Sequence, residues 1–503
     1  MAKLRGRKIK SNAFGADFLR VACNLRSAAA LACAALGVAA APTLAHALTP
    51  ISLTLDDGAV LALEEGAVSV PEARGRDSTR QISIGFRRIA KAPGAESAPV
   101  FLLAGGPGGS YNERLDEGGE RQAASMAVID MYRRVGDVVL VDLRGVNLST
   151  PQTLCNGAPN KLRRIGSEDA YYDLIESTGR ACREKLLSEG FDLAGYTVTE
   201  AAADIIAVAD ALGYDRINLA GTSFGSHWGL TVAKYYPERV SRMVLTGIEG
   251  FDHTIDDPAG VLAAVEKISA AARPVWNKAH DVEGPVEALR LLAARVERAE
   301  RNAFGLRRYE VADAMIWGRN YGLSSRAGMY EWPRAVAGML DGKVRYHKVV
   351  RWFTARNIGR GWDAAAVGMF DCASWISPQR LAQLQAGESL LVTDNLKYYE
   401  ALCAGWDIKL LPDSFREDFR SDVPALFIHG DMDVSTPLVN ALETIEQFPD
   451  GQLTIVEGGS HAVLTETLRA HPILEEQIID WLGGGAPPPA RLSLPPVEFR
   501  QLR

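Results

Sequence analysis

Six short, continuous apolar runs recur along the chain, separated by longer amphipathic stretches. Runs without polar alternation are typical of parallel strands that are buried on both faces. The runs are Val100–Leu103, Val138–Val141, Ile217–Ala220, Met243–Leu245, Ala425–Ile428 and Leu453–Val456. Helical periodicity lies between them, notably over Glu200–Leu212 and Ser226–Tyr236. This alternation of strand and helix predicts an α/β fold with a mostly parallel, doubly wound sheet.

The alternation stops between Phe251 and Phe415 and resumes at Pro424. The intervening stretch has helical periodicity and holds seven of the nine tryptophans. Its predicted helices are Gly260–Ala271, Pro285–Arg301 and Val311–Tyr321. Because strands of one sheet flank the stretch, we predict a helical cap inserted into the α/β core. The predicted domains are 48–250 (first part of the core), 251–415 (cap), 416–482 (second part of the core) and 483–503, a Gly/Pro-rich tail expected to be extended, packed late or mobile.

Residues 1–47 have the pattern of a secretory signal peptide. Basic positions from Lys3 to Arg26 precede an apolar run from Ser27 to Leu44, and small residues end the segment at Ala45 and Ala47. The alternative is a membrane anchor, but the run is rich in alanine and is broken by a proline, which makes it marginal for a hydrocarbon core about 30 Å thick. We therefore predict export to the periplasm or the medium, cleavage after Ala47, and no stable membrane insertion afterwards.

Composition and charge narrow the function classes. The chain has 503 residues, of which 47% are hydrophobic and 23% charged, as in globular proteins. The net charge is −7, but the first 47 residues carry seven basic residues and one acid, so the remainder has 48 basic and 61 acidic residues and a net charge of −13. A body this acidic repels phosphates, which argues against a nucleic-acid partner.

The segment beyond residue 47 keeps four cysteines. An even number in an exported protein favours disulfides, and four cysteines allow three connectivities. Proximity along the chain favours Cys155–Cys182 and Cys372–Cys403. No close cysteine pair of the kind that binds zinc occurs in the sequence.

The pentapeptide Gly221–Gly225 (GTSFG) matches the pattern G-x-S-x-G. It follows a predicted strand and begins a predicted helix, which is the context of a nucleophile elbow. Its glycines permit a tight turn with Ser223 at an exposed apex. The alternative is a glycine-rich turn with a capping serine, and the strand–turn–helix context favours a nucleophile.

A nucleophilic serine needs a base and an acid that orients it, which in this kind of fold follow in the order Ser, Asp or Glu, His. Of the seven histidines after Ser223, only His461 follows a late strand and a glycine loop, so we assign it as the base. The loop after Ala425–Ile428 offers Asp431 and Asp433 as the acid. We prefer Asp433, which lies further along the loop, because an aspartate at position 431 is typical of a turn or cap.

An oxyanion hole requires backbone N–H donors. Phe224, the residue after the nucleophile, supplies one. The loop Gly105–Gly109 (GGPGG) follows the first core strand and allows close approach of a substrate. Pro107 has no N–H, so Gly106 is the better second donor. A generic turn is the alternative for this loop taken alone.

Several of these motifs together resemble one family. They are GGPGG at 105–109, Asp142–Ser149, GTSFG, the GDMD and VSTP segments at 430–437, and GGSH ending at His461. The set is similar to the proline iminopeptidase and tripeptidyl aminopeptidase family of α/β-hydrolases over roughly Leu63 to Leu482. The exported tripeptidyl branch is closer, with its signal peptide, its paired cysteines and a Cys-Arg-Glu segment, here beginning at Cys182.

The resemblance implies an α/β-hydrolase fold with the triad Ser223, Asp433 and His461, and oxyanion donors at Gly106 and Phe224. Two positions depart from the family pattern. Ala104 stands where the iminopeptidase branch has histidine, and Asn147 stands where the D-x-R-G-x-G-x-S segment has its second glycine. Asparagine is tolerable at position 147 because it adopts positive φ.

Three function classes remain. The first is an exported serine aminopeptidase that acts on free peptide N-termini through an acyl-enzyme. The second is an esterase or amidase that acts on a small molecule with the same triad. The third is a non-catalytic binding protein, which an intact triad argues against. We predict no cofactor and no metal, because the sequence has no H-E-x-x-H, P-loop or dinucleotide motif.

An aminopeptidase must also hold the substrate's ammonium, normally with carboxylates near the cap. Each candidate is expected to be a solvated or capping acid, because acids are mostly exposed, and none is assigned. The candidates are Glu249, Asp256, Asp257, Asp313 and Asp371.

Overall fold

A ten-stranded mixed sheet forms the centre of the fold. The computed structural model describes residues 44–76, 80–155, 168–276, 281–297, 322–343, 365–386, 395–417 and 419–502. The strands are β1 (Leu44–Thr54), β2 (Val60–Pro71), β3 (Gln81–Ile89), β4 (Val100–Leu103), β5 (Val138–Val141), β6 (Ile217–Ser223), β7 (Val240–Ile248), β8 (Ala425–Gly430), β9 (Gln452–Glu457) and β10 (Arg491–Ser493). Their order is β1-β2-β3-β5-β4-β6-β7-β8-β9-β10. The pairs β1/β2, β2/β3 and β3/β5 are antiparallel, and the remaining pairs are parallel.

Helices cover the sheet on both faces. Those of the core are α1 (Tyr111–Glu117), α2 (Gly119–Arg133), α3 (Glu168–Ser188), α4 (Val198–Ala211) and α5 (Phe224–Tyr235). Between β7 and β8 lie α6 (Pro258–Trp276), α7 (Pro285–Glu297), α8 (Arg326–Leu340), α9 (Pro378–Ala386) and α10 (Asn395–Trp406), and the core resumes with α11 (Leu438–Ile445), α12 (Val463–Ala470) and α13 (Ile473–Leu482). The α/β fold class is as predicted, with a mostly parallel sheet.

Alternate residues of the central strands supply two separate cores. Phe101 and Leu103 of β4 pack in a cluster with α3, α4 and α5, whereas Val100 and Leu102 pack in another with α2 and α13. Successive side chains of a strand point to opposite faces, so a strand covered on both sides must be apolar throughout. The carboxyl ends of these strands are thereby held rigidly beside one another.

A buried ion pair holds the segment after β5 in place. Arg144 is fully buried, and its guanidinium donates to both carboxylate oxygens of Asp204 on α4, at 2.8 Å each. The same side chain also donates to the backbone oxygen of Glu72 at 2.7 Å. Asn147 has a φ of 46°, as expected for a residue that replaces glycine there.

The described part of the stretch between β7 and β8 is mostly helical, but it does not form one separate layer. Helices α6, α7 and α8 share a cluster of their own that includes Trp276 and Trp332. Helix α10 instead packs on α3, and its Trp406 belongs to the main core. The predicted helix Val311–Tyr321 lies outside the described residues.

Both predicted cysteine pairs lie at disulfide distance. The Cα atoms of Cys155 and Cys182 are 5.4 Å apart, and those of Cys372 and Cys403 are 5.3 Å apart. Cys182 lies on α3 and Cys403 lies on α10, and these two helices pack on each other. Each bridge links one of the two helices to a segment that precedes it in the chain.

The C-terminal tail is more structured than its composition indicates. Residues of β10 pair in parallel with β9 and extend the sheet by one edge strand. Phe499 packs in the cluster of α6 to α8, and the N–H of Arg500 donates to the carbonyl of Tyr330 at 2.9 Å. Residues 491–493, 499 and 500 of this tail therefore contact the rest of the fold. Within the described residues, no helix is long and apolar enough to cross a membrane.

Candidate active site

Ser223 lies at the tip of a sharp turn between β6 and α5. Its φ is 60° and its ψ is −132°, a strained conformation for a residue with a side chain. A Cβ atom at Gly221 would collide with the carbonyl of Gly225, and one at Gly225 would collide with the carbonyl of Leu103. The two glycines are thus required by the turn, which presents the serine at the carboxyl end of the sheet.

The loop at 104–109 lies against this turn. A Cβ atom at Gly105 would lie 2.8 Å from the carbonyl oxygen of Thr222 and 3.0 Å from the Cβ of Ser223. Gly106 has a φ of 138°, which disfavours any residue with a side chain. Among the described residues, the N–H groups of Gly106 and Phe224 donate to no protein acceptor. Both amides are available to a substrate oxygen.

His461 and Asp433 are hydrogen-bonded to each other. His461 Nδ1 lies 2.8 Å from Asp433 Oδ2 and 3.1 Å from Oδ1. Asp433 is fully buried and also accepts from the N–H of Ser435 at 2.8 Å and from the hydroxyl of Thr436 at 2.8 Å. These donors fix the carboxylate, which in turn fixes the tautomer and the ring orientation of the histidine.

Asp433 and His461 each stabilise the charged form of the other. Burial alone raises the pKa of Asp433, but the charge of His461 and its hydrogen bond outweigh burial and lower that pKa below the usual value. Burial likewise works to lower the pKa of His461, but Asp433 raises it above 6.5 on balance. The site therefore stabilises the imidazolium that forms when the ring accepts a proton.

Ser223 and His461 line one cavity of about 630 Å³. Gly106 and Pro107 of the glycine loop line it as well, as does Val367 from the segment between β7 and β8. No hydrogen bond joins the serine hydroxyl to the imidazole in this structure. Bonds of this kind are often long before a substrate binds.

Asp431 and two of the described histidines, His227 and His429, have structural roles. Asp431 lies 3.0 Å from Lys267 Nζ and accepts from the N–H of Gly458 at 2.7 Å, so it anchors a turn. His429 is buried inside β8, where its Nδ1 accepts from a backbone N–H and its Nε2 donates to a carbonyl. His227 is buried as well, and burial lowers its pKa to about 4.

Three carboxyl groups interact through their charges, and we call them the acid cluster: Glu249, Asp256 and Asp371. Glu249 also interacts with His461. Burial raises the pKa of Glu249 to about 8, and the positive charge of His461 opposes this rise. Burial, followed by the mutual repulsion of the acids, raises the pKa values of Asp256 and Asp371 as well. No described residue forms an ion pair with any of the three. Among the described residues, the cluster therefore has no lysine or arginine partner.

The backbone holds the cluster close to the nucleophile. The N–H of Glu249 donates at 2.9 Å to the hydroxyl of Ser226, which itself donates at 2.6 Å to the carbonyl of Ser223. Tyr399 on α10 donates to Asp371 at 3.2 Å. Glu249 thus comes from the end of β7. Asp371, with Tyr399 bound to it, comes from the helical segment between β7 and β8.

The sequence does not predict this cluster. All five candidate acids are expected to be solvated or capping, and among the described ones only Asp257 follows that expectation, since its side chain accepts from the N–H of Ala259 at 3.1 Å. Asp313 lies outside the described residues. The other three are buried or half-buried because α10 and the segment after β7 fold over them. The single sequence signal was that Glu249 directly follows a core strand.

Comparison with known proteins agrees with this architecture. The family model described as "alpha/beta hydrolase fold" matches residues 98–467. A tripeptidyl aminopeptidase of Streptomyces coelicolor is 28% identical over 193 residues, which are 36% of this chain and 34% of that protein. The match therefore spans about a third of the relative's length.

Two solved structures resemble the chain at low identity. A thermophilic esterase from Thermogutta terrifontis is 14% identical, with a TM-score of 0.35 over 83% of this chain and 98% of its own. An epoxide hydrolase from Vigna radiata is also 14% identical, with a TM-score of 0.35 over 87% of this chain and 98% of its own. At such TM-scores these likenesses say nothing about activity. Among the described residues, no group of three side chains could hold a metal ion.

Proposed function

We propose that this chain, which belongs to the α/β-hydrolase family, is an exported serine aminopeptidase that cleaves peptides near their free N-terminus through an acyl-enzyme. The observation that carries the proposal is the acid cluster beside Ser223 and His461. Buried carboxyl groups without a cation partner are costly to the fold, and the free ammonium of a peptide supplies the missing charge. The similarity to a tripeptidyl aminopeptidase supports the same substrate class.

Acylation begins at Ser223. Its hydroxyl oxygen attacks the scissile carbonyl while His461 accepts the hydroxyl proton, and Asp433 holds the resulting imidazolium. The N–H groups of Gly106 and Phe224 donate to the oxyanion. The C–N bond then breaks, the imidazolium gives its proton to the departing amine, and an ester to the serine remains.

Deacylation repeats these steps with water. His461 accepts a proton from the water, whose oxygen attacks the ester carbonyl, and the serine recovers its proton as the N-terminal fragment leaves as an acid. The acid cluster takes no part in bond making. It fixes the ammonium, and with it the distance between the substrate's N-terminus and the scissile bond.

Export rests on separate support. The disulfides suit an oxidising compartment. A cut after Ala47 would remove the first residues of β1 and leave Leu48–Thr54, most of which pair with β2. Sequencing the N-terminus of the secreted protein tests the cut directly, and Leu48 is the expected first residue.

A substrate panel tests the activity. The wild type and Ser223→Ala should be compared on aminoacyl-anilides, tripeptidyl-anilides and short acyl esters. We expect the wild type to hydrolyse anilides with a free amine and Ser223→Ala to hydrolyse none. Turnover of esters alone would replace the aminopeptidase with an esterase, and undiminished turnover by Ser223→Ala would exclude the serine mechanism.

A further inference from the structure

Arg114 lies on the other side of the nucleophile from the acid cluster. It belongs to α1, the helix that follows the glycine loop, and it lines the same cavity as Ser223 and His461. A Cβ atom at Gly109 would lie 3.3 Å from Arg114 Nη2, so the guanidinium rests against the loop that carries the oxyanion donor. Its carbon Cζ lies 4.9 Å from the ring centre of Tyr111, which holds the side chain in place.

The guanidinium has no hydrogen-bond acceptor and no ion-pair partner within the described part of the chain. No carboxylate there forms an ion pair with Arg114, and its buried Nε donates to no acceptor. Most buried side-chain donors in proteins have a hydrogen-bond partner, and a guanidinium that lines a cavity without one can donate to a group supplied from outside. Arg121 lines the same cavity but is paired with Glu117 at 3.0 Å and is half exposed.

The order of the strands separates the two charges. Strand β6, which ends at Ser223, lies between β4 and β7. Arg114 lies on α1 after β4 and Glu249 directly follows β7, so the segments that carry them leave the sheet on opposite sides of the nucleophile. A ligand that meets both charges must carry a positive group at one end, a negative group at the other, and the reacting carbonyl between them.

We propose that Arg114 binds the free C-terminal carboxylate of the leaving fragment, so that the preferred substrates are short peptides with both termini free. This rests on the proposed aminopeptidase function, which places the ammonium at the acid cluster. A guanidinium presents paired N–H donors that match the two oxygens of a carboxylate. Arg114 is then a specificity-determining residue that contacts the part of the substrate beyond the scissile bond.

The test compares three peptides that share one sequence around the scissile bond. The first has a free C-terminal carboxylate, the second is amidated, and the third is amidated but carries a glutamate in the leaving fragment. Each is assayed with the wild type, Arg114→Gln, Arg114→Lys and the control Arg121→Gln, after thermal unfolding has shown that the variants are folded. The ester pair 4-acetoxybenzoic acid and 4-acetoxybenzamide is measured in parallel.

We expect the wild type to prefer the free acid over the amide by about 10- to 100-fold in kcat/KM, the range for a hydrogen bond to a charged group. Arg114→Gln should lose this preference, because its kcat/KM for the free acid should fall to about that for the amide. Arg114→Lys should keep part of the preference, and Arg121→Gln should keep it all. The proposal would be overturned if the wild type cleaved the free acid and the amide equally. It would also be overturned if only the glutamate peptide, and not the free acid, were cleaved faster than the plain amide.

The ester pair separates this proposal from the proposed function. If no peptide is cleaved but the esters are, the aminopeptidase assignment fails. A preference for the carboxylate ester that disappears in Arg114→Gln would then still support Arg114 as a carboxylate receptor. Equal hydrolysis of the two esters in that case would refute the receptor as well.

Discussion

Neutralising Glu249 should stabilise the folded protein at neutral and alkaline pH. Its pKa is raised from 4.5 to about 8 because burial disfavours the charged form. A group whose pKa is higher in the folded state than in the unfolded state favours folding fully below pH 4.5, and that contribution is lost as the pH rises through about 8. Glu249→Gln removes the titration and keeps the shape of the side chain.

The magnitude follows from the shift. One pKa unit corresponds to about 1.36 kcal/mol, so at pH 7 the shift would cost the fold about 3 kcal/mol if it acted in full. Glu249 is half-buried and His461 lies near it, so we expect a gain of about 1–3 kcal/mol for Glu249→Gln at pH 7. Near pH 4.5 the gain should nearly vanish, because the wild-type carboxyl is then protonated as well.

Urea unfolding followed by tryptophan fluorescence measures the effect across pH 4.5 to 8.5. The control is Glu446→Gln, which alters an exposed glutamate and should leave the free energy of unfolding nearly unchanged at every pH. A difference between wild type and Glu249→Gln that stays constant with pH, or that shrinks as the pH rises, would refute the reasoning.

Three further outcomes are expected. Asp433→Asn should lower kcat by about 10⁴-fold because the histidine loses its orienting acid. Asp431→Asn should lower kcat by less than about tenfold, since a part-exposed ion pair contributes about 1 kcal/mol or less. Similar losses for the two variants in steady-state assays would contradict the assignment of Asp433 as the acid. Arg144→Met should destabilise the fold by about 1.5–3 kcal/mol in urea unfolding, because Asp204 loses two hydrogen bonds from a charged donor and keeps only its pair with Arg74, and a loss below 1 kcal/mol would contradict this. We expect a pH-dependent ratio of kcat/KM for a free-amine peptide to kcat/KM for a simple ester. The ratio should rise as the pH approaches 8, where Glu249 ionises, and fall above that pH as the peptide amine loses its proton. Glu249→Gln should abolish the rise.

Local features of this protein could be predicted from its sequence, and long-range ones could not. The bounds of β4 and β5 match the predicted runs because each is a short apolar segment between polar ones. The elbow at Ser223 and the positive φ of Asn147 follow from neighbouring residues alone. These features depend on a few consecutive positions, which is the information that a single sequence displays.

The acid cluster and the cavity arginine depend on distant segments. Asp371 is buried by contacts such as that with Tyr399, and Arg114 lines the cavity without an ion-pair partner among the described residues. Neither property has a signature in adjacent residues, because most acids and arginines are exposed. Likewise, β10 lies in a proline-rich segment whose composition does not indicate a strand, and the strand is recognised from its pairing with β9.

The most direct measurement compares one peptide with its N-acetylated form at equal concentration and pH 7. Acetylation removes the positive charge and changes nothing at the scissile bond. If the acid cluster binds the ammonium, kcat/KM should fall by about 10- to 100-fold on acetylation, the range for a hydrogen bond to a charged group. In Glu249→Gln the two forms should be cleaved more nearly alike. Equal cleavage of both forms by the wild type would contradict the aminopeptidase assignment.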